Sequence, residues 1–178
     1  SKNIAATALA HMVEQGKIDL DTSFYEYVPY YPKKEWDFTI RQLAGHTAGI
    51  RGYRGTEYGL NKPYSIKESI DIFKDDELLF EPGTDYGYNS YDWVLLSLAM
   101  QEVSGISFEK YVQEIVLKPV GMTNTFAPEN SKTSSAINSH SYTTFYSKNK
   151  LGFRKAIPVD NFYKLAGGGY LSTSEDIA

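Results

Sequence analysis

The sequence predicts a mostly helical chain with long loops and few strands. Three observations carry this. Apolar residues recur at helical spacing in three stretches, residues 4–13, 91–103 and 108–116. Helix-capping residues or turn signals flank those stretches. Polar, glycine- and proline-containing segments separate them.

Ile4, Ala5, Ala8, Leu9, Met12 and Val13 form one apolar stripe on a 3.6-residue period, and Gly16 is placed to stop that helix. The alanines keep it slim, so neighbours can pack close. Asp21-Thr22 opens a turn, and Pro29 and Pro32 bracket an irregular tyrosine-rich stretch. Thr39 is an N-cap for a short helix over Ile40–Ala44, ended by His46-Thr47-Ala48-Gly49. Residues 51–64 read as a long loop. Ser65 with Glu68 is a capping box opening a helix to about Lys74. After the Glu81–Thr84 turn, Trp93, Leu96, Leu98, Ala99 and Val103 mark a helix from Tyr91 to Gly105. Ser107 caps the next, which carries Phe108, Tyr111, Val112, Ile115 and Val116 and stops before Pro119. Residues 127–150 read as loop with a short strand. Gly167-Gly168-Gly169 marks a place where backbone passes close to another group.

At 178 residues the chain fits one domain of ordinary size. A formal charge of −4 and a pI near 5.4, with Lys and Arg scattered, argue against nucleic acid as a partner. No stretch approaches the roughly twenty apolar residues of a membrane span. The chain has no cysteine, which excludes disulfides, thiolate metal sites and a cysteine nucleophile and leaves the compartment open. Three scattered histidines without carboxylates at ligand spacing give no metal site. No cofactor motif is present: the glycine run lacks the Gly-Lys-Ser/Thr of a phosphate loop.

Four segments taken together carry a resemblance: SKNIAATALAHMVEQGKIDLDTS, FTIRQLAGHTAGI, the stretch from LLFEPGTDYGYNSYDW to VGMTNTF, and KLAGGGYLSTSEDIA. In this order they resemble the serine beta-lactamase and penicillin-binding-protein superfamily, on its class C, DD-peptidase and esterase side, over about two thirds of the chain. GHTAGIRGY with YNS is more similar to the mitochondrial serine beta-lactamase-like branch and its bacterial relatives. The resemblance implies an α+β, beta-lactamase/transpeptidase-like fold. It makes residues 1–178 a central, mostly helical segment. The strands with the nucleophile and those with the third motif (Lys-Thr-Gly or His-x-Gly) are expected before and after it. Most of the central antiparallel sheet is therefore expected to be missing.

The resemblance also implies a chemistry, acyl transfer through a serine ester on a small-molecule or peptide substrate. It needs a serine, a lysine one helical turn later and a nearby tyrosine. Residues i and i+3 of a helix face the same way, so the ammonium stands beside the serine oxygen. Aligned on the family's Ser-x-Ser-Lys, Lys2 is the motif lysine, and the nucleophile is expected three residues before it, outside these residues. Ser107-x-x-Lys110 and Ser147-x-x-Lys150 share the spacing, but Ser107 is an N-cap and Ser147 lies in a polar loop. Tyr88-Asn89-Ser90 stands where class C relatives read Tyr-x-Asn. Tyr88 is thus the catalytic phenol and Ser90 the substrate-binding group, with shorter reach than an amide. That departure motivates an alternative, a non-catalytic binding or assembly module.

His46 has no Asp or Glu placed by motif to orient it, and the resemblance makes its segment structural; it is expected to be satisfied and partly buried. The glycine run is expected to pack on the nucleophile helix and lead into a helix capped within Ser172–Asp176. A bacterial periplasm or envelope location is only the family's expectation. Oligomeric state stays open.

Overall fold

The computed structural model describes residues 1–128 and 143–178. Its axis is a helix over Tyr91–Ser104, which is α5 in chain order. Every residue from Tyr91 to Met100 is buried, so this helix is wrapped on all sides rather than packed by one stripe. The preceding helices are α1 (Lys2–Glu14), α2 (Phe24–Tyr27), α3 (Ile40–Ala44) and α4 (Ile66–Ser69). After α5 comes α6 (Phe108–Val112), which runs on as a π-helical turn over Gln113–Leu117, and α7 (Ser174–Ile177) ends the chain. Helices α1, α2, α3, α4 and α6 all pack on α5, and α1 also meets the glycine-rich turn Leu165–Gly169.

The expected caps form. Thr39 and Ser65 each close a capping box, with Gln42 and Glu68, and the Ser107 hydroxyl accepts from Lys110 N. Gly105 ends α5 with φ +71°, and Gly16 follows α1 at +67°.

The cap expected within Ser172–Asp176 is Thr173, whose hydroxyl accepts from Asp176 N. Three expectations need correction. The helix expected to reach Lys74 leaves the α form after Ser69 and tightens into a 3₁₀ turn over Ile70–Ile72. The tyrosine-rich stretch is preceded by a short helix, α2, capped by Ser23. Its rings explain the order there: Phe24 stacks on Phe38 at 5.4 Å and meets Tyr31 edge-on at 5.4 Å. Finally, Ser147 is in a strand rather than a loop. β1 (Tyr146–Asn149) pairs antiparallel with β2 (Gly152–Lys155), in register Tyr146↔Lys155, the one sheet among the described residues. The rest of the expected 127–150 loop, with His140, falls largely outside the described residues.

The loop over 51–64 is ordered by a buried guanidinium. Arg51 donates from Nε to Asp76 (2.7 Å), from Nη1 to Glu57 (2.7 Å) and the Gly52 carbonyl (3.0 Å), and from Nη2 to Glu57 (3.2 Å) and the Ile72 carbonyl (3.0 Å). All five N–H groups are thus used. The His46–Gly49 segment acts as a rail for residues 79–87. Gly87 N donates to His46 O (2.9 Å), Gly83 N to Thr47 O (2.8 Å) and Leu79 N to Gly49 O (2.7 Å). Gly49 has φ +78°, and a Cβ there would lie 2.4 Å from the Phe80 carbonyl oxygen, so only glycine fits. This rail carries Tyr88 to the start of α5.

Candidate active site

Three elements converge at the N-terminus of α1. The Lys2 ammonium donates to the Gly167 carbonyl at 2.7 Å and lies 5.0 Å from the centre of the Tyr88 ring. Ser1 Oγ accepts from Tyr170 N at 3.0 Å, tying the same helix start to the other end of the glycine turn. Gly167 in turn packs on Ser90: a Cβ at Gly167 would sit 3.4 Å from Ser90 O and 3.5 Å from Ser90 Cβ. A Cβ at Gly167 would make only ordinary contact with the start of α5, whereas one at Gly169 would lie 2.4 Å from the Asn161 carbonyl oxygen, so it is Gly169 where the turn needs glycine. Lys2 and Ser90 are half-buried, while Tyr88 is 63% exposed. Lys2, Tyr88 and Ser90 are thus brought together from positions far apart in sequence.

Asn89 is not presented to the site. It is buried, and its Nδ2 lies within hydrogen-bond distance of Ile50 O (2.9 Å), Gly87 O (3.0 Å) and Asp92 Oδ2 (2.7 Å). Ser90 is half-buried instead, beside Gly167 and hydrogen-bonded to the Tyr53 phenol, which burial pushes up from its ordinary pKa. Behind Tyr53 lies a second, buried lysine: Lys164 donates to Tyr58 O at 2.9 Å, and burial pushes its pKa down.

His46 is satisfied as expected and more deeply buried than expected, and it has a carboxylate partner that sequence spacing did not show. Its Nδ1 is 2.8 Å from Asp92 Oδ2, and Trp93 Nε1 donates to its Nε2 at 3.4 Å. An indole N–H only donates, so Nε2 accepts and Nδ1 carries the proton toward Asp92. Burial pushes Asp92 up to about 6, against the hydrogen bonds from His46 and Asn89 and the charge of Lys2. The signal for Asp92 lay in the sequence: it is the one charged residue among the apolar positions Tyr91–Met100.

The other two sequence features behave as expected or stay remote. His11 bonds Tyr111 OH at 3.0 Å on the far part of α1. Ser107 is engaged as a cap. Among the described residues no helix is long and apolar enough to cross a membrane.

A lysine at a helix start, held by a carbonyl under an accessible phenol, is an arrangement able to move a proton between neighbouring oxygens. The family model "Beta-lactamase" matches residues 1–178. The chain belongs to the beta-lactamase family. Among curated relatives it is 27% identical to the human mitochondrial serine beta-lactamase-like protein LACTB, over 99% of this chain and 44% of that protein. The chain thus spans less than half the length of that relative. Among solved structures it is similar to a D-stereospecific amidohydrolase from a Streptomyces species, with a TM-score of 0.81 and 25% identity over 99% of this chain and 56% of that one. It is also similar to an octameric penicillin-binding-protein homologue from Pyrococcus abyssi, with a TM-score of 0.80 and 25% identity over 99% and 41%. The fold is the beta-lactamase/transpeptidase-like α+β fold, here represented by its helices and one small antiparallel sheet. Beta-lactamase family membership, with amidohydrolase and penicillin-binding neighbours, places the chain within the serine hydrolase superfamily in general.

Proposed function

We propose that these residues are the central, mostly helical segment of a serine hydrolase that forms and hydrolyses an acyl-enzyme. The observation that carries this reading is the Lys2 ammonium lying 5.0 Å from the Tyr88 ring centre and anchored by Gly167 O at 2.7 Å. The serine three residues before Lys2 attacks the carbonyl carbon of an amide or ester while its proton passes to the Tyr88 hydroxyl, which hands its own proton to the leaving amine or alcohol; the Lys2 ammonium stays charged and steadies the oxygens between which the proton moves. Water then attacks the ester so formed, releasing the acid and restoring the serine. Ser90 and the Tyr53 phenol bonded to it supply hydrogen bonds to the substrate. Substrate classes that fit are beta-lactams, D-amino peptides and carboxylic esters; the similarity to a D-stereospecific amidohydrolase supports the amide classes.

The test is mass spectrometry of the full-length protein after incubation with a fluorophosphonate or penicillin. A single adduct on the serine preceding Ser1 is expected. Loss of that adduct by orders of magnitude is expected in Lys2→Ala. No adduct on folded protein overturns the reading. Ser90 in place of an amide favours a second reading, a non-catalytic binding or assembly module. That module would bind its partner equally well with Lys2→Ala.

A further inference from the structure

The backbone on either side of Tyr88 is held by one buried polar cluster. Before it, Gly87 N donates to His46 O at 2.9 Å, and Gly87 O lies 3.0 Å from Asn89 Nδ2. After it, Asn89 Oδ1 accepts from Asp92 N at 2.8 Å. Asn89 Nδ2 and His46 Nδ1 both meet the same Asp92 oxygen, Oδ2, at 2.7 and 2.8 Å. Above this cluster the Tyr88 ring packs on the His46 imidazole, 4.7 Å between centres. His46 itself has φ +60°, the one described non-glycine residue in the left-handed region. A conformation unfavourable for a side chain is maintained there by the bonds on both ring nitrogens and on the carbonyl.

The charge of Asp92 is the part that shape alone does not require. Its residue is fully buried, and its second oxygen, Oδ1, has no hydrogen-bond partner among the described residues. An asparagine could keep both accepted bonds, with its amide oxygen at the Oδ2 position and its nitrogen at the empty Oδ1 position. A buried carboxylate bonded through one oxygen only is costly, yet it stands where the Lys2 charge acts on it. From Lys2 through the Tyr88 ring and the His46 imidazole to Asp92, cation and anion lie at opposite ends of one chain of contacts.

We propose that His46, Asn89 and Asp92 form the mount of the active-site tyrosine, with the Asp92 carboxylate acting through His46 as the counter-charge to Lys2. They are positioning residues: none touches substrate. This rests on the reading of Lys2 and Tyr88 as the acyl-transfer pair. The titratable groups facing Asp92 are His46 from the turn after α3, Lys2 at the start of α1 and the buried Tyr31 phenol, which senses its charge.

The experiment uses full-length protein carrying ¹³C-labelled tyrosine, with the Tyr88 ring signals assigned through Tyr88→Phe. In the parent protein those signals are expected to shift with pH around the Asp92 value of about 6. Asp92→Asn, which preserves the shape, should abolish that inflection while leaving the far-ultraviolet circular dichroism unchanged. Asn89→Ala should broaden the Tyr88 signals and slow penicillin acylation on the order of tenfold, as misplacement of a reacting group does. Tyr88 signals that respond to pH identically in folded parent and Asp92→Asn overturn the proposal, whether or not Asn89→Ala folds. Absent acylation in a parent protein whose Tyr88 responds as described refutes the hydrolase reading and leaves the mount standing.

Discussion

Replacing Arg51 with methionine tests how the loop over 51–64 is held. Methionine fills the space of the aliphatic stem and removes only the guanidinium. Five donated bonds disappear, and two carboxylates and two carbonyls lose a partner at once. Breaking a fully buried pair costs about 3–5 kcal/mol. Here the Arg51 side chain is 6% exposed, but Glu57 and Asp76 retain 21% and 26%, so water takes over part of the solvation. Glu57 also keeps Tyr91 OH (2.9 Å) and Arg54 N (2.8 Å), and Asp76 keeps Arg54 Nη1 (2.6 Å). The expected loss is therefore near the lower bound, about 3 kcal/mol, or roughly 6–12 °C in Tm for a chain of this size.

The pH dependence has a definite sign. Burial raises the Glu57 pKa, but the bonds from Arg51, Arg54 N and Tyr91 outweigh it and hold the group below 4.5. A depressed carboxylate stabilises the fold at pH above its ordinary value, and that contribution is lost as pH falls through the folded value. Urea unfolding of parent and Arg51→Met from pH 7 to pH 3 should show a gap that is constant above 4.5 and narrows below it. A gap under about 1 kcal/mol at pH 7, the size of an exposed pair, would refute the assignment of Arg51 as the buried pin of this loop. A gap that stays constant to pH 3 would refute the linkage.

Other perturbations separate clash from strain and fold from chemistry. Gly49→Ala meets the Phe80 carbonyl at 2.4 Å, whereas Gly16→Ala, with a similar positive φ, meets nothing within 4 Å. Thermal melts should show Gly16→Ala losing about 1 kcal/mol from strain, and Gly49→Ala losing at least twice that. Lys118→Ala removes an exposed i,i+4 pair with Glu114 (2.6 Å) and should change unfolding free energy by no more than about 0.5 kcal/mol. Ser90→Asn lengthens the hydrogen-bonding group beside Tyr88 and should shift competitive labelling toward penicillin over fluorophosphonate, with Tm unchanged.

What the sequence made legible was local. The caps at Thr39, Ser65 and Ser107 and the glycine stops at 16 and 105 involve neighbours within four residues, so the chain order contains the whole interaction. Lys2, Tyr88 and Ser90 were found through the resemblance, because nothing in their immediate surroundings marks one tyrosine out of fifteen. What stayed hidden depends on distance. Arg51 meets Asp76, His46 meets Asp92, and Lys2 meets Gly167 across 25, 46 and 165 positions. The helix expected to reach Lys74 failed for a related reason. Its capping box sets only the start, and Lys74 N returns to Ile70 O after the chain has already tightened.

Strain and close backbone approach concentrate around the same few residues. His46 in the left-handed region and Gly49 against Phe80 O both lie within the contacts that place Tyr88 and Ser90 beside Lys2. A helical bundle built only for stability would have no use for a left-handed histidine or a run of three glycines, since each costs conformational free energy. Each of them, however, shortens a distance into this corner. Gly49 lets residues 79–87 lie on the rail, His46 turns its carbonyl to Gly87, and Gly167 brings a carbonyl to within 2.7 Å of the lysine. Unfavourable local conformations spent on convergence distinguish this corner from the rest of the described core. The same reasoning applies to the mount of Tyr88: a buried carboxylate with an empty oxygen is tolerated where a charge is needed.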